Sequence, residues 1–205
     1  LDPVRHNQAD LGVKFSEDTF YLNGSVFYGR IDDYIAMVDI ADPDGPGAGT
    51  LPPARTYQNV DASIWGGELS GQISLPFDLY LSASLAYTEG ENRDTDEPLA
   101  EMPPLSGNLS LRYDNDTWFI EVQERFADKQ DRVDEELNEE ETSGWGVTDL
   151  KAGANLDHWS IITGVNNLFD KYYFTHMSYQ RDPFRTGAKV PETGAFAYLT
   201  VMYRY

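Results

Sequence analysis

Cysteine is absent from the 205-residue chain, so neither a disulfide framework nor a thiolate metal site can form. Basic residues are scarce, because 15 lysines and arginines stand against 35 aspartates and glutamates, for a net charge of −20. This balance argues against a nucleic-acid partner, which needs basic patches, and against adsorption to an anionic membrane surface. No stretch approaches the about 20 apolar residues of a transmembrane helix, and the N-terminal segment lacks the features of a signal peptide.

The residues that are abundant favour β-structure. Aromatic residues make up 13% of the chain and glycine is frequent, which suits strands joined by tight turns. Alternation with a period of two recurs from end to end, and no run has convincing helical spacing. We therefore predict strands near residues 6–16, 19–34, 56–75, 79–91, 106–114, 117–127, 145–155, 159–171 and 195–205.

The connections between these predicted strands alternate strictly between short and long. The short ones are 16–19, 75–78, 113–117 and 155–158, and the long ones are 38–57, 92–104, 127–144 and 171–194. A β-sandwich has no reason to keep all tight turns at one end. An up-and-down transmembrane barrel does, with short periplasmic turns and long external loops. We predict an all-β fold, an antiparallel up-and-down transmembrane β-barrel.

The two faces of each predicted strand differ in polarity. In residues 79–87, Leu81 and Leu85 share one face, while Ser82 and Ser84 share the other. A soluble antiparallel sheet buried on one side gives the same alternation, so a soluble β-sandwich stays open as an alternative. The predicted strands are long, however, and match the about 9–11 residues of a tilted membrane strand better than the usual globular strand.

The chain ends on AFAYLTVMYRY, which also alternates. One register holds Leu199, Val201, Tyr203 and Tyr205, and the other holds polar residues such as Arg204. We expect the apolar register to face lipid and the terminus to be a paired strand, because a closed sheet leaves no edge in the membrane.

The ordered set of motifs resembles the C-terminal barrel half of TonB-dependent outer-membrane receptors. GVNNLFDKYY at 164–173 resembles the penultimate-strand signature of that family, and VPETG followed by a strand with a terminal aromatic residue resembles its last strand. YQNVDASIWGGELSG at 57–71 and EMPPLSGNLSLRYDNDTWFIEVQERF at 101–126 resemble earlier strands, in the same order. QADLGVKF and GSVFYGRIDDYI are similar to the hairpin that precedes them.

The resemblance implies a 22-stranded barrel, of which residues 1–205 would supply about the last nine strands and no plug domain. It implies several partners: the N-terminal barrel and plug, in the same or a separate chain, the TonB complex, outer-membrane lipid and lipopolysaccharide. It also implies that the barrel-assembly machinery reads an assembly signal formed by Tyr205, Tyr203, Val201 and Leu199. Localisation would be the bacterial outer membrane.

The implied function is uptake of a metal chelate, a ferric siderophore first, with copper or a vitamin-like cofactor as alternatives. A structural or adhesive barrel without transport is a hypothesis from a different class. No nucleophile–base pair or phosphate-binding loop is present, so we expect no catalytic residues and no enzyme activity. His6, His158 and His176 lack the spacing of metal ligands.

The acidic run at 128–141 allows two interpretations. Its eight carboxylates predict a solvated, partly disordered loop tip. They also suit Ca²⁺, a hard cation that prefers clustered oxygen ligands and would be the only cofactor. The candidate calcium ligands are Asp134, Glu135, Glu136, Glu139, Glu140 and Glu141.

The last long loop contains the candidate ligand-binding residues. His176 and Met177 form a soft pair that suits copper, although such a pair is more often ordinary packing and surface. Tyr179, Arg181 and Arg185 could instead contact an anionic chelate through stacking and charge-assisted hydrogen bonds. The sequence leaves both interpretations open.

Overall fold

The computed structural model of the protein describes residues 1–40, 54–137, 139–182 and 185–205, without the side chains of 39, 40, 54, 55, 179–182 and 185–188. These ranges contain strands and no helix. The strands are β1 Arg5–Ser16, β2 Phe20–Ile40, β3 Ala54–Leu75, β4 Leu79–Asn92, β5 Glu97–Pro98, β6 Ser106–Asp114, β7 Trp118–Ala127, β8 Trp145–Leu156, β9 Trp159–Asn166, β10 Tyr179–Asp182, β11 Arg185–Lys189 and β12 Phe196–Tyr203.

The main sheet follows chain order, β1-β2-β3-β4-β6-β7-β8-β9-β12, and every neighbouring pair is antiparallel. The short strand β5 pairs with β4, and β10 and β11 form a separate hairpin. This topology confirms the predicted all-β, up-and-down architecture. The sheet is not closed on itself, because β1 and β12 form its two edges.

The short turns lie at one end of the sheet and the long connections at the other. Aspartates supply left-handed backbone in three of the turns, with φ of 58° at Asp78, 68° at Asp116 and 51° at Asp157. Aspartate adopts this conformation more readily than most residues do, which allows a tight reversal. The predicted alternation of loop lengths is therefore confirmed where the chain is described, whereas residues 41–53 of the first long loop lie outside the description.

The register gives the main sheet one apolar and one polar face. Leu11 pairs with Val26, Leu69 with Leu85, Leu111 with Val122, and Val201 with Ile161 on the apolar face. Leu11 and Leu199 remain 69% and 67% exposed. Soluble monomers rarely leave an apolar surface of this extent uncovered. The exposure is typical of a sheet whose outer surface contacts lipid.

Aromatic pairs border the apolar face. Near the short turns, ring centroids lie 5.3 Å apart in Phe15–Phe20, 4.7 Å in Tyr113–Trp118 and 4.9 Å in Trp159–Tyr203. Towards the long loops, Trp65 and Tyr87 are 5.3 Å apart. Amphipathic rings of this kind are enriched at the two membrane–water interfaces.

Several details differ from the sequence-based expectation; among them, β2 continues to Ile40 rather than ending near residue 34, and the short strand β5 lies in a predicted loop. The last strand ends at Tyr203; Arg204 still donates its backbone N–H to the carbonyl of His158 at 2.8 Å, but Tyr205 is fully exposed and unpaired. Strand β9 ends at Asn166 rather than at 171, because Asn167 and Asp170 adopt positive φ values. The β10–β11 hairpin was not predicted, since its two strands are only four and five residues long.

Gly107 permits the close approach of β4 and β6. A Cβ atom at this position would lie 2.3 Å from the backbone oxygen of Ser84 and 2.8 Å from a methyl group of Leu85. The backbone oxygen belongs to the ladder and has little freedom to move. At Gly12, by contrast, the nearest atom to such a Cβ is the Gly24 oxygen at 3.7 Å, an ordinary contact.

We predict that Gly107→Ala destabilises the barrel and that Gly12→Ala does not. Overpacking of this kind costs about 1–3 kcal/mol. The measurement is urea unfolding of the intact receptor in lipid vesicles, followed by tryptophan fluorescence. Equal midpoints for the two variants would contradict the close approach.

Candidate functional site

The polar face carries two ion-paired arginines. Arg112 binds Glu121 of the adjacent strand at 3.0 Å and Asp114 at 2.6 Å, and its guanidinium lies 3.7 Å from the centre of the Phe119 ring. Arg125 binds Asp149 across β7 and β8 at 2.6 Å. The register produces both cross-strand pairs. Arg112 is directly opposite Glu121, whereas Arg125 lies diagonal to Asp149, which is opposite Gln123.

Asn167 anchors the last long connection to this network. Its backbone N–H donates to Asp149 at 2.8 Å, and its side chain exchanges two hydrogen bonds of 2.8 Å with the backbone of Lys171. Its exposed fraction is only 2%. In the sequence, Asn167 was recognisable only as part of the NNLFD motif; in the structure, it positions the start of the last long connection.

A polar cavity of about 430 Å³ lies on this face. Carboxylates, amides and cations line most of it, and two aromatic rings from the last strand complete it. The lining includes Arg125, Asp149, Lys151, Asn167, Phe196 and Tyr198.

A second cavity, of about 510 Å³, lies at the end with the long connections and is called the loop cavity here. It forms between the far ends of β2 and β3 and three long connections. These are the proline loop (93–105), the acidic loop (128–144) and the histidine loop (167–195). Apolar side chains form part of its wall, including Ile35, Met37, Tyr57, Pro98, Leu99 and Leu137. Carboxylates form much of the rest, from Glu97, Glu101, Asp134, Glu136, Glu139 and Glu140.

Glu139 joins the three loops. One carboxylate oxygen accepts hydrogen bonds from the backbone N–H of Glu101 at 2.7 Å and from Nε2 of His176 at 3.1 Å. The other oxygen accepts from the backbone N–H of Asp134 at 2.8 Å. Because the carboxylate only accepts, Nε2 of His176 carries hydrogen, and the hydroxyl of Thr142 lies 2.9 Å from Nδ1.

Most carboxylates of the acidic loop are exposed, as expected for a solvated tip, but the loop is also packed against its neighbours, which the expectation of a partly disordered tip did not include. Val133 and Leu137 are each only 8% exposed. Gln130 pairs with Thr142 through the backbone and donates its side-chain amide to the carbonyl of Met102 at 2.7 Å. These two apolar anchors lie among the carboxylates from which the loop tip was predicted.

The six candidate calcium ligands do not converge. Glu139 is bound by amides and by His176, and Glu140 is bound by Lys189 at 3.0 Å. Glu135 and Glu136 are exposed. Among residues 1–40, 54–137, 139–182 and 185–205, no group of three or more acidic, histidine or cysteine side chains could hold a metal ion. Calcium binding stays a prediction that this geometry does not support.

His176 and Met177 both line the loop cavity, as their shared loop suggested. His176 is 8% exposed and fully hydrogen-bonded, whereas Met177 is 54% exposed. The structure adds Met37, which no local sequence pattern could bring near them. The side chains of Tyr179, Arg181 and Arg185 lie outside the described residues.

Asp134 is the carboxyl group of the loop cavity with a perturbed acidity. Burial raises its pKa above the usual range, and the neighbouring charges of Glu136 and Glu139 raise it further. The hydrogen bond from the backbone N–H of Leu137, at 3.0 Å, opposes this shift. The raised pKa therefore reflects mainly the burial of the carboxyl group, which penalises its charged form.

The TonB dependent receptor-like, beta-barrel family matches residues 1–168. The chain belongs to the TonB-dependent receptor family. Family members are receptors and transporters of the Gram-negative outer membrane, not enzymes, and they work with a plug domain and TonB. No curated protein sequence matches the chain significantly. Among the described residues, no helix is long and apolar enough to cross a membrane.

Solved receptor structures share the fold. The copper transporter OprC is 27% identical with a TM-score of 0.86, over 98% of this chain and 31% of that chain. A ferric enterobactin receptor (PfeA) mutant from Pseudomonas aeruginosa is 22% identical with a TM-score of 0.71, over the same shares. The siderophore receptor PirA from Acinetobacter baumannii is 19% identical with a TM-score of 0.71, over 99% and 32%. The chain thus spans about a third of the length of these receptors.

We predict that Glu139→Ala loosens all three loops. It leaves two backbone N–H groups and one imidazole N–H without their acceptor, at a cost of about 1–3 kcal/mol for each buried group. Hydrogen exchange of residues 93–105 and 128–137 should accelerate in the intact receptor. Glu135→Ala removes an exposed carboxylate of the same loop and should change nothing. Unchanged protection in Glu139→Ala would contradict the role of Glu139.

We predict that Asp134→Asn protects the acidic loop from exchange at neutral pH. In the folded state the raised pKa makes the charged form costly, so stability is greatest below the pKa of the unfolded chain and falls as pH rises through the folded value. The gain from Asn should therefore shrink as the pH is lowered through the raised folded value towards the ordinary range of aspartate. The measurement is hydrogen exchange at several pH values. At each pH, the intrinsic exchange rate is taken from an unstructured peptide. A gain that is independent of pH would contradict it.

Proposed function

We propose that this chain is the C-terminal barrel portion of an outer-membrane importer for a metal cargo, driven by TonB. The loop cavity carries the proposal, because it combines a volume of about 510 Å³ with soft donors and carboxylates at the long-loop end. A plug and the remaining barrel strands would be supplied by sequence outside residues 1–205. The polar cavity at Arg125 and Asp149 offers charged groups for the plug, and the apolar face would contact lipid and lipopolysaccharide. The barrel-assembly machinery would recognise the last strand.

Copper is the cargo that we favour over the ferric siderophore that the sequence alone placed first. The copper transporter OprC is more similar to this chain than the siderophore receptors described above, both in identity and in TM-score. Met177 and His176 line one cavity, and a thioether and an imidazole are soft donors that suit copper. The carboxylates around them attract cations.

The exposed thioether of Met177 would make the first contact with the cargo, because both nitrogens of His176 are already hydrogen-bonded. Coordination by the imidazole requires release of either Thr142 or Glu139. Release of Glu139 would also free the backbone N–H of Glu101, so metal binding at His176 would be transmitted to the proline loop.

A ferric siderophore stays a second candidate. It is supported by the fold shared with the solved siderophore receptors and by the two arginines at 181 and 185 in the histidine loop. A structural or adhesive barrel without transport is the alternative from another class.

We predict that the intact receptor raises copper uptake in a receptor-deficient strain, and that deletion of TonB abolishes the gain. Met177→Leu conserves volume and removes the thioether, so uptake at limiting copper should fall severalfold. Met202→Leu, on β12 and away from the loop cavity, is the matched control. Cell-associated copper and iron are measured by mass spectrometry.

The outcomes separate the candidates. An increase in cell-associated copper that requires both TonB and Met177 would support the proposal. An increase in cell-associated iron supplied as a ferric siderophore, without an increase in copper, would favour the ferric siderophore as the cargo. Equal accumulation of both metals with and without TonB would contradict active import and favour the structural alternative.

A further inference from the structure

We propose that the lipid-facing surface around Glu124, on β7, docks another membrane protein that presents a basic side chain within the membrane. This inference concerns the outer surface of the sheet and does not depend on the cargo of the receptor. It follows from the position of one carboxylate on an apolar face, from the residues that hold it there, and from the hydrogen-bonding capacity that they leave open.

The register places Glu124 on the apolar face. It stands opposite Leu109 of β6 and Thr148 of β8, and it shares its side of β7 with Val122. Leu109 and Val122 are 48% and 47% exposed on this face. Successive residues of a strand point to opposite faces, so the side chain of Glu124 points away from the polar face that carries Arg125.

Glu124 is an exception among the outward positions of the main sheet. These positions run from the aromatic pairs near the short turns to the level of Tyr28, Trp65 and Tyr87 on the first four strands, and to the long-loop ends of the later strands. The described residues there are aliphatic, aromatic, glycine, alanine or threonine, and Glu124 alone is charged. A charge that faces lipid costs free energy, and ionisable residues inside a membrane are usually functional.

Glu124 lies within the apolar band, in the half that is nearer the long loops. It follows Trp118, whose ring borders the apolar face near the short turns, by six residues along β7. Six residues rise about 20 Å along a strand, or about 15 Å along the membrane normal at a tilt of about 40°. The apolar band of such barrels is about 25 Å tall, so about 10 Å of it remains above the carboxylate. A glutamate side chain is too short to cross that distance.

Neighbouring residues hold the carboxylate against the sheet. The hydroxyl of Thr148 donates to Oε2 of Glu124 at 2.6 Å. Gly146 leaves the space in which the other oxygen lies, because a Cβ atom at Gly146 would be 2.9 Å from Oε1. Within the described part of the chain, no donor binds Oε1 and no cation pairs with Glu124. One oxygen of a positioned carboxylate is thus left to accept from outside these strands.

The charge selects the class of partner. A carboxylate in lipid is best satisfied by a cation that also donates hydrogen bonds, as lysine and arginine do. The described outward positions defined above contain neither residue, so a second copy of these strands offers no complement. The glycolipid of the outer leaflet is itself anionic and repels a carboxylate at this position. Another membrane protein with a basic residue at this depth complements both the charge and the location.

The first test places a photo-reactive amino acid at Leu109 of the intact receptor in its own outer membrane. Leu22 is the matched control, because it lies on the same face and is 46% exposed, but on β2, three strands away. Irradiation should give a protein adduct from position 109 and not from position 22. Mass spectrometry should place the attached segment of the partner beside a lysine or arginine. Glu124→Gln keeps the shape and removes the charge, and should lower the yield about tenfold.

The second test uses a defined probe in lipid vesicles. The probe is a labelled transmembrane helix of leucine and alanine with one arginine at the matching depth, and its control carries glutamine instead. Energy transfer from the tryptophans of the receptor to the label measures association. The arginine helix should associate more with the wild-type receptor than with Glu124→Gln, whereas the glutamine helix should not distinguish the two. Heat-modifiable mobility like that of the wild type shows that Glu124→Gln is folded.

Contrary results overturn the inference. Adducts with glycolipid, or adducts of twice the receptor mass, would replace the protein partner by lipid or by a second copy. No adduct, or equal yields from positions 109 and 22, would contradict a defined docking surface. A yield that persists in Glu124→Gln, or an arginine helix that does not distinguish this variant from the wild type, would contradict the pairing of charges. None of these results bears on metal uptake, so the proposed function is tested separately.

Discussion

The antiparallel hydrogen-bond ladder constrains everything else in this structure. In lipid no water is present to satisfy backbone N–H and C=O groups, so each strand must pair along its whole length with its neighbours. A paired strand shows alternate side chains to opposite faces, which places Leu69 and Leu85 on the apolar face and Arg112 and Glu121 on the polar one. Strictly consecutive pairing also sends every tight turn to one end and every long connection to the other. The loop cavity can form only at that second end.

The same ladder explains which predictions from sequence succeeded. Alternation and turn chemistry are local, so the strands and the aspartate turns at Asp78 and Asp116 could be located from short segments. The packing of the acidic loop could not be, because Glu139 contacts residues 38 and 37 positions away, Glu101 and His176. Contacts of this separation leave no periodic signal in the sequence. The loop was therefore predicted to be solvated and partly disordered, although Leu137 is an apolar residue of the kind that packs against neighbouring loops.

The candidate site, too, was predictable only where its residues are neighbours in the sequence. His176 and Met177 are adjacent in sequence, and their shared softness as metal ligands was visible there. Met37 reaches the same cavity from β2, which extends past the apolar face after the irregularity in register between Ile31 and Tyr34. Asp33, inside that irregularity, has a φ of 58°. No pattern in the sequence connects this strand extension with the histidine loop, because the connection is made by tertiary packing alone.

The charged residues around the two cavities differ in their ion pairing. On the polar face, Arg112 pairs with Asp114 and Glu121, and Arg125 pairs with Asp149, at distances of 2.6–3.0 Å, so each of these carboxylates has a cationic partner in contact. At the loop cavity, Asp134 and Glu136 lack comparable cationic partners among the described residues. A cation approaching from outside would thus meet an attractive field at the mouth and paired charges further along the sheet. Attraction of this kind raises the rate of encounter more than the affinity, and it weakens as salt shortens the Debye length. Encounter of a cation with the loop cavity should therefore depend on ionic strength.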